Sequence, residues 1–220
     1  MAIAENYQSL RYSIPDNVTL VVAAKTRTKQ EIEEVIAAGA TDLGYNQVQE
    51  AEDMYAMLGD KATKVRWHLI GNLQKNKVNK ALSIFDVVQS IDSYKLAEAI
   101  NKRSSKVMPV YIEVKISEEE TKHGVEPANI KQLIQELSPL SNIKIEGLMA
   151  MEPYLKNPEL ARPYFRRMKE LFCELKQIQQ PNLDLKVLSM GMSTAYKAAI
   201  EEGSNMVRIG TAVFGERKYT

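Results

Sequence analysis

Apolar residues fall into short runs, separated by stretches in which they recur every three or four positions. The runs are 18–24 (VTLVVAA), 41–45 (TDLGY), 64–70 (KVRWHLI), 85–89 (FDVVQ), 109–114 (PVYIEV), 144–149 (KIEGLM), 185–189 (LKVLS) and 205–209 (NMVRI). Several are almost continuously apolar, as expected of parallel strands covered by helices. The intervening stretches carry helix signals. Thr28 and Glu31 form a T-x-x-E capping pattern ahead of Ile32, Val35 and Ile36, and Gly39 supplies the stop. Val48, Ala51, Tyr55 and Leu58 keep helical spacing as far as Gly59, and Asp92 can cap a helix bearing Leu96, Ala99 and Ile100. Ile130, Leu133, Ile134 and Leu137 mark another. Phe165, Met168, Phe172, Leu175 and Ile178 mark the longest, with Pro163 placed near its start because an interior proline would break it. A short helix through Ala198, Ala199 and Ile200 stops at Gly203.

Eight strands in strict alternation with helices predict an α/β fold, a (β/α)8 TIM-type barrel. An open doubly wound sheet is the alternative, and the strand count favours the barrel. Residues 1–220 read as a single domain, with no linker, low-complexity segment or fixed-period repeat. Only about ten residues follow the eighth strand, too few for a full closing helix. Within residues 1–17, the segment AENYQSLRYS is therefore expected to be helical and to pack on the barrel over that gap.

Composition narrows the partners. The chain has 220 residues, 45% of them hydrophobic, and a net charge of +1, which gives no support for nucleic acid or a membrane surface as a partner. No run approaches the length of a membrane span, and the first 17 residues hold no signal-peptide core. The one cysteine, Cys173, excludes an internal disulfide and fits a reducing cytoplasm; its neighbours Leu171, Phe172 and Leu175 suggest a packed structural thiol. One cysteine and two histidines, far apart, give no metal-site spacing. His68 reads as a hydrogen-bonded core residue and His123 as a solvated one. Lys75, Lys77 and Lys80 read as a solvated helix face. The methionines of GLMAM and SMGM are expected to pack the barrel mouth.

In such a barrel, chemistry sits at the carboxyl ends of the strands. Strand one ends at Lys25, strand two at Asn46, strand seven in SMGMST (189–194) and strand eight in RIGT (208–211). Loops seven and eight are rich in small residues that let backbone N–H groups approach an anion, and Ser193, Thr194, Gly210 and Thr211 can add donors. Ser193 and Thr194 are equally compatible with simple helix capping; the small-residue loop after strand eight tips the balance toward a phosphate site. A lysine at a strand end is ordinarily solvated. Set across the mouth from a phosphate site, however, a neutral Lys25 amine suits condensation with a phosphorylated aldehyde. Arg208, on strand eight, keeps its charge at neutral pH. It would hydrogen-bond a pyridine nitrogen without protonating it, or else serve as a buried structural arginine.

The stretches VVAAKTRT, GYNQVQEAEDM, WHLIGNLQKNKV, VKISEEETKHG, GLMAM and LSMGMSTAYKAAIEEGSNMVRIGTAVFG resemble the pyridoxal-phosphate homeostasis proteins. These are a small single-domain group similar to the barrel half of alanine racemase. The resemblance runs from about Val18 to Gly215 and its motifs are highly specific. It implies a fold-type III barrel binding pyridoxal 5'-phosphate (PLP), without a second β domain. It implies a covalent Schiff base at Lys25, Asn46 beside the ring, Ser193, Thr194, Gly210 and Thr211 around the phosphate, and Arg208 facing the pyridine nitrogen. Ser189 and Met190 match pocket-wall positions. Two positions depart from the family pattern: Tyr45 stands where G-E-N has glutamate, and Ala195 where S-x-D has aspartate.

The resemblance implies a protein that stores, buffers and delivers PLP, with PLP-dependent apo-enzymes as recipients. Cysteine usage makes the cytoplasm the expected location, and without the racemase's partner domain a monomer is expected. The alternative is a PLP-dependent amino-acid racemase or decarboxylase of weak activity. Racemisation needs a base on each face of the substrate carbon. In the racemase the second base is a tyrosine from a partner subunit's β domain, which this chain is expected to lack. Tyr45 and Tyr196 are the residues to test for that role. A mouth without a covering domain also admits water, so the chain is expected to be non-catalytic.

Overall fold

The computed structural model describes residues 2–117, 123–153, 155 and 157–216. Eight parallel strands close in sequence order, β1-β2-β3-β4-β5-β6-β7-β8, and β8 pairs with β1. They are β1 (Thr19–Ala23), β2 (Asp42–Tyr45), β3 (Arg66–Leu69), β4 (Val87–Ile91), β5 (Met108–Val114), β6 (Ile143–Ala150), β7 (Leu183–Ser189) and β8 (Met206–Ile209). Closure excludes the open doubly wound sheet, and each strand lies within two residues of its apolar run.

The helices α1 (Ile3–Ser13), α2 (Lys29–Ala37), α3 (Val48–Leu58), α4 (Val78–Ile84), α5 (Tyr94–Arg103), α6 (Ile130–Leu137), α7 (Arg162–Leu175), α8 (Tyr196–Glu201) and α9 (Thr211–Phe214) surround the barrel. At the start of α2 the Thr28 N–H donates to Glu31 Oε2 at 2.7 Å and the Glu31 N–H to Thr28 Oγ1 at 3.3 Å, the reciprocal capping box. Pro163 stands in the first turn of α7. Asp92 does not cap α5: the cap position is Ser93, whose hydroxyl donates to Asp92 Oδ1 at 2.9 Å. Helix α9 is a single turn. Beside it lies α1, whose Asn6 Nδ2 donates to Val213 O at 3.0 Å and whose Tyr7 Oη donates to Gly39 O at 3.2 Å.

The core has two compartments. One lies between sheet and helices and includes Ile32, Leu43, Trp67, Phe85, Ile100, Ile134 and Phe165. The other fills the barrel itself with Val21, Val87, Tyr111, Met149 and Met206. This division follows from the strand period of two, which sends alternate side chains inward and outward. Cys173 corrects the expectation of a packed thiol, because it is exposed. Helix α7 buries Phe165, Met168, Phe172 and Leu175, and the residue after Phe172 is turned about 100° off that stripe. His123 is exposed, Lys75 and Lys80 are exposed, and Lys77 is half-buried.

Candidate binding site at the barrel mouth

A cavity of about 250 Å³ opens at the carboxyl ends of the strands. Lys25, Asn46, Ser193, Thr194, Arg208, Gly210 and Thr211 all line it, together with Ala23, Arg27, Ile70, Met151 and Met192. Seven of the nine residues singled out from the sequence thus meet in one place. Ser189 and Met190 do not line it. Ser189 is fully buried behind Arg208, and Met190 packs in the compartment beneath the helices. Of the methionines, Met151 and Met192 reach the mouth, whereas Met149 fills the barrel interior.

The closed sheet revises one piece of the sequence reading. Lys25 and the loop after β8 do not face each other across the mouth. Strands β1 and β8 are hydrogen-bonded neighbours, with Val22 beside Ile209. Gly210 is pressed against the end of β1, so close that a Cβ there would lie 2.9 Å from Ala23 O. Small size at this position lets the last loop sit beside Lys25. The Gly210 N–H donates to Ser193 Oγ at 3.3 Å, joining the loops after β7 and β8 into one rim of N–H and hydroxyl groups.

Lys25 is half-buried, and the backbone beyond it is held tightly. Thr26 has a φ of 63°, a left-handed conformation that is costly for a β-branched residue. Two contacts hold it: the Thr26 N–H donates to the Glu50 carboxylate from α3, and Thr26 Oγ1 donates to Lys25 O at 2.7 Å. Asn46 is fixed from the other side by Gly71, where a Cβ would stand 2.7 Å from Asn46 Cα.

Arg208 is buried, at 4% exposure. Its Nη1 donates to Ser189 O at 2.9 Å and Ser189 Oγ at 2.8 Å, and its Nη2 donates to Ala150 O at 2.7 Å. It therefore straps β6, β7 and β8 while lining the cavity, so the structural and ligand-facing uses coexist. Burial pulls its pKa down from the ordinary value, and the Glu152 and Glu113 carboxylates oppose that. The Glu152 Oε1 in turn accepts the Met192 N–H at 2.8 Å, which steadies the loop after β7.

Arg27 is a lining residue that the sequence reading passed over. Its guanidinium lies 4.8 Å from the centre of the Phe214 ring, pairs with Glu31 at 3.3 Å and donates to Gly215 O at 3.1 Å. Its position two residues after Lys25 was the available signal. The two tyrosines raised as possible bases lie elsewhere. Tyr45 points outward from β2, stacked on Trp67 with ring centres 5.4 Å apart. Tyr196 Oη lies 3.4 Å from Ser13 Oγ, beside α1. The structural departure at Ala195 is a buried residue that precedes α8.

The donor set matches three features of PLP. The cavity presents an amine at Lys25, a buried guanidinium at Arg208 and a small-residue rim, the donor types that suit an aldehyde, a ring nitrogen and a phosphate respectively.

The family model for the alanine racemase N-terminal domain matches residues 1–218. The pyridoxal phosphate homeostasis protein of Aquifex aeolicus is 46% identical over 203 residues, covering 91% of this chain and 87% of that protein. The Escherichia coli protein of the same name is 37% identical over 216 residues, covering 94% of this chain and 88% of that one. PipY of Synechococcus elongatus, solved with PLP bound, superposes with a TM-score of 0.89 at 36% identity, covering 97% of this chain and 100% of that one. Alanine racemase from Bacillus anthracis shares the fold, with a TM-score of 0.75 at 19% identity; this chain is covered fully and the racemase chain to 57%. A closed eight-stranded barrel, a lysine at the end of its first strand and relatives this similar over nearly their full length lead to one assignment: the chain belongs to the pyridoxal phosphate homeostasis protein family.

Proposed function

We propose that this protein binds PLP at the barrel mouth, carries it covalently through Lys25 and holds it for delivery to PLP-dependent apo-enzymes without catalysing a reaction of its own. The observation that carries the reading is the convergence of Lys25, Arg208 and the Ser193–Gly210 rim on a single cavity. The Lys25 amine is the group that would hold the PLP aldehyde, as the nucleophile of the covalent link. Arg208, fixed at both ends of its guanidinium, presents a cation that does not give up its proton to the ring nitrogen. Ser193, Thr194, Gly210 and Thr211 take the phosphate, and Asn46 borders the ring. Arg27 adds positive charge at the rim.

When bound, PLP supplies an electron sink that would serve racemisation or decarboxylation. Use of that sink needs a second base at the substrate carbon. Among the described lining residues there is no tyrosine, histidine, cysteine or carboxylate, which supports the holding role. No described helix is long and apolar enough to cross a membrane. A single domain acting as a monomer in a reducing cytoplasm completes the proposal.

Borohydride reduction of the PLP-loaded protein, followed by peptide mass analysis, tests it. The reduced cofactor is expected on the peptide containing Lys25 and absent from Lys25→Ala. A label elsewhere, or one retained by Lys25→Ala, would overturn the site. Robust amino-acid racemase turnover by the wild type, lost in Lys25→Ala, would overturn the non-catalytic role.

A further inference from the structure

Five buried polar side chains form an unbroken file through the inside of the barrel. Arg208 Nη1 donates to Ser189 Oγ at 2.8 Å. Ser189 Oγ donates to Gln89 Oε1 at 2.7 Å. Gln89 Nε2 lies 3.0 Å from His68 Nδ1, and His68 Nε2 lies 2.8 Å from Asp42 Oδ1. The file begins on β8, passes to β7, crosses the barrel to β4 and ends through β3 on β2. One end lines the mouth cavity. The other, Asp42, lines a groove at the opposite end of the barrel together with Arg11 and Thr41.

Counting protons fixes its direction. Arg208 can only donate and the Asp42 carboxylate can only accept. A neutral His68 therefore carries its proton on Nε2, facing Asp42, and offers Nδ1 as an acceptor to the Gln89 NH2 group, which leaves Gln89 Oε1 to take the Ser189 hydroxyl proton. The second amide proton of Gln89 meets Met206 Sδ, 3.3 Å away. Every link runs from cation to anion, and no buried donor meets another donor. A neutral ring also agrees with burial, which pushes the His68 pKa below its ordinary value.

We propose that Asp42, His68 and Gln89 are positioning residues for Arg208: the file locks the His68 tautomer and the facing of the Ser189 hydroxyl, so that filling the cavity at Arg208 is felt at His68 on the far side of the barrel. This inference rests on the PLP reading for what fills the cavity, but not for the file itself.

The test is nitrogen NMR of protein labelled with 15N-histidine, with His123→Gln used to assign the two rings. Without PLP, His68 is expected to carry its proton on Nε2 and none on Nδ1; a proton on Nδ1 would overturn the file. On adding PLP the His68 Nδ1 resonance is expected to shift. In Gln89→Leu that shift is expected to vanish and PLP binding to weaken about fivefold, the loss of one hydrogen bond's worth of positioning. An unmoved wild-type resonance, or one that moves equally in Gln89→Leu, would overturn the coupling. Should Gln89→Leu fail to fold, Gln89→Glu serves: its carboxylate offers Nδ1 no donor, so Nδ1 is expected to become protonated, and a bare Nδ1 there would count against the file. Failure of the wild type to bind PLP at all would remove the functional reading and the coupling together, while the tautomer measured without PLP would still decide the file.

Discussion

Ser189 and Gln89, 100 residues apart in sequence, meet inside the barrel with Ser189 Oγ donating to Gln89 Oε1 at 2.7 Å. The bond joins β7 to β4, strands that are not neighbours in the sheet. The barrel interior is thus layered: Val21, Val87, Tyr111, Met149 and Met206 form an apolar filling, and a polar file passes beside it and ends at the cavity wall. Burial next to this filling pushes the Tyr111 phenol up to about 12.

Arg208 is the link between that interior and the mouth. Replacing it with lysine keeps the charge but cannot span Ser189 and Ala150 together. Arg208→Lys is expected to lose about 2–3 kcal/mol of stability, the scale of a charged buried hydrogen bond, and to retain PLP more weakly. Urea unfolding and PLP titration check both effects. Wild-type affinity in the variant would leave Arg208 with a structural role alone.

Thr26 stores backbone strain next to Lys25. Thr26→Gly relieves the left-handed conformation, worth about 1–2 kcal/mol, and gives part of that back through unfolded-chain entropy and the lost bond to Lys25 O. Stability is expected to stay level or rise by about 1 kcal/mol, while PLP retention falls because Lys25 is less firmly held. A large loss of stability would show that no strain was released.

Gly71 buttresses Asn46. In Gly71→Ala the new methyl meets backbone rather than a flexible side chain, so Asn46 must move. A stability loss of about 1–3 kcal/mol is expected, accompanied by weaker PLP binding. An unchanged melting temperature would mean that the loop after β2 gives way at no cost.

Tyr45 presents a buried hydroxyl with no hydrogen-bond partner among the described residues. Burial raises its phenol pKa, and the Glu50 charge raises it further. Removing an unsatisfied buried group while keeping the ring on Trp67 is expected to leave stability unchanged or raise it by about 1 kcal/mol. Because Tyr45 faces away from the cavity, Tyr45→Phe is also expected to bind PLP like the wild type. A drop in affinity would place this residue in the site.

His68 makes stability depend on pH. Burial lowers its pKa below the ordinary 6.5, against the pull of Asp42 and Asp86, while Arg66 pushes the same way as burial. Below about pH 6.5 the unfolded chain binds a proton that the folded protein refuses, so stability falls as pH drops. Asp42 adds a later loss of the same sign. Burial raises its pKa, but the bonds from His68 and Thr41 outweigh that, and protonation begins to favour the unfolded chain below about 3.8. Urea midpoints measured between about pH 7 and pH 5 should fall more steeply for the wild type than for His68→Asn. Equal slopes would mean that His68 titrates alike in both states.

The sequence by itself determined what depends on local periodicity. Eight apolar runs spaced by amphipathic stretches define the barrel. The strand ends then name the rim, because parallel strands place all their carboxyl ends on one face. Lys25, Asn46, Ser193, Thr194, Gly210 and Thr211 were legible for that reason, and the motifs around them pointed to the family. Thr28 and Glu31 announced their capping box because both its bonds are local. Closure and packing decided the rest. That β8 lies beside β1, setting Gly210 against Ala23, depends on how the sheet seals and not on any run within it. Cys173 sits among apolar neighbours yet is turned outward by one helical step. Tyr45 belongs to a strand buried on both faces, so composition could not say which way it points. The file from Arg208 to Asp42 exists only because closure brings five strands' inward positions within hydrogen-bond reach, and such non-local contacts leave no periodic trace in the chain.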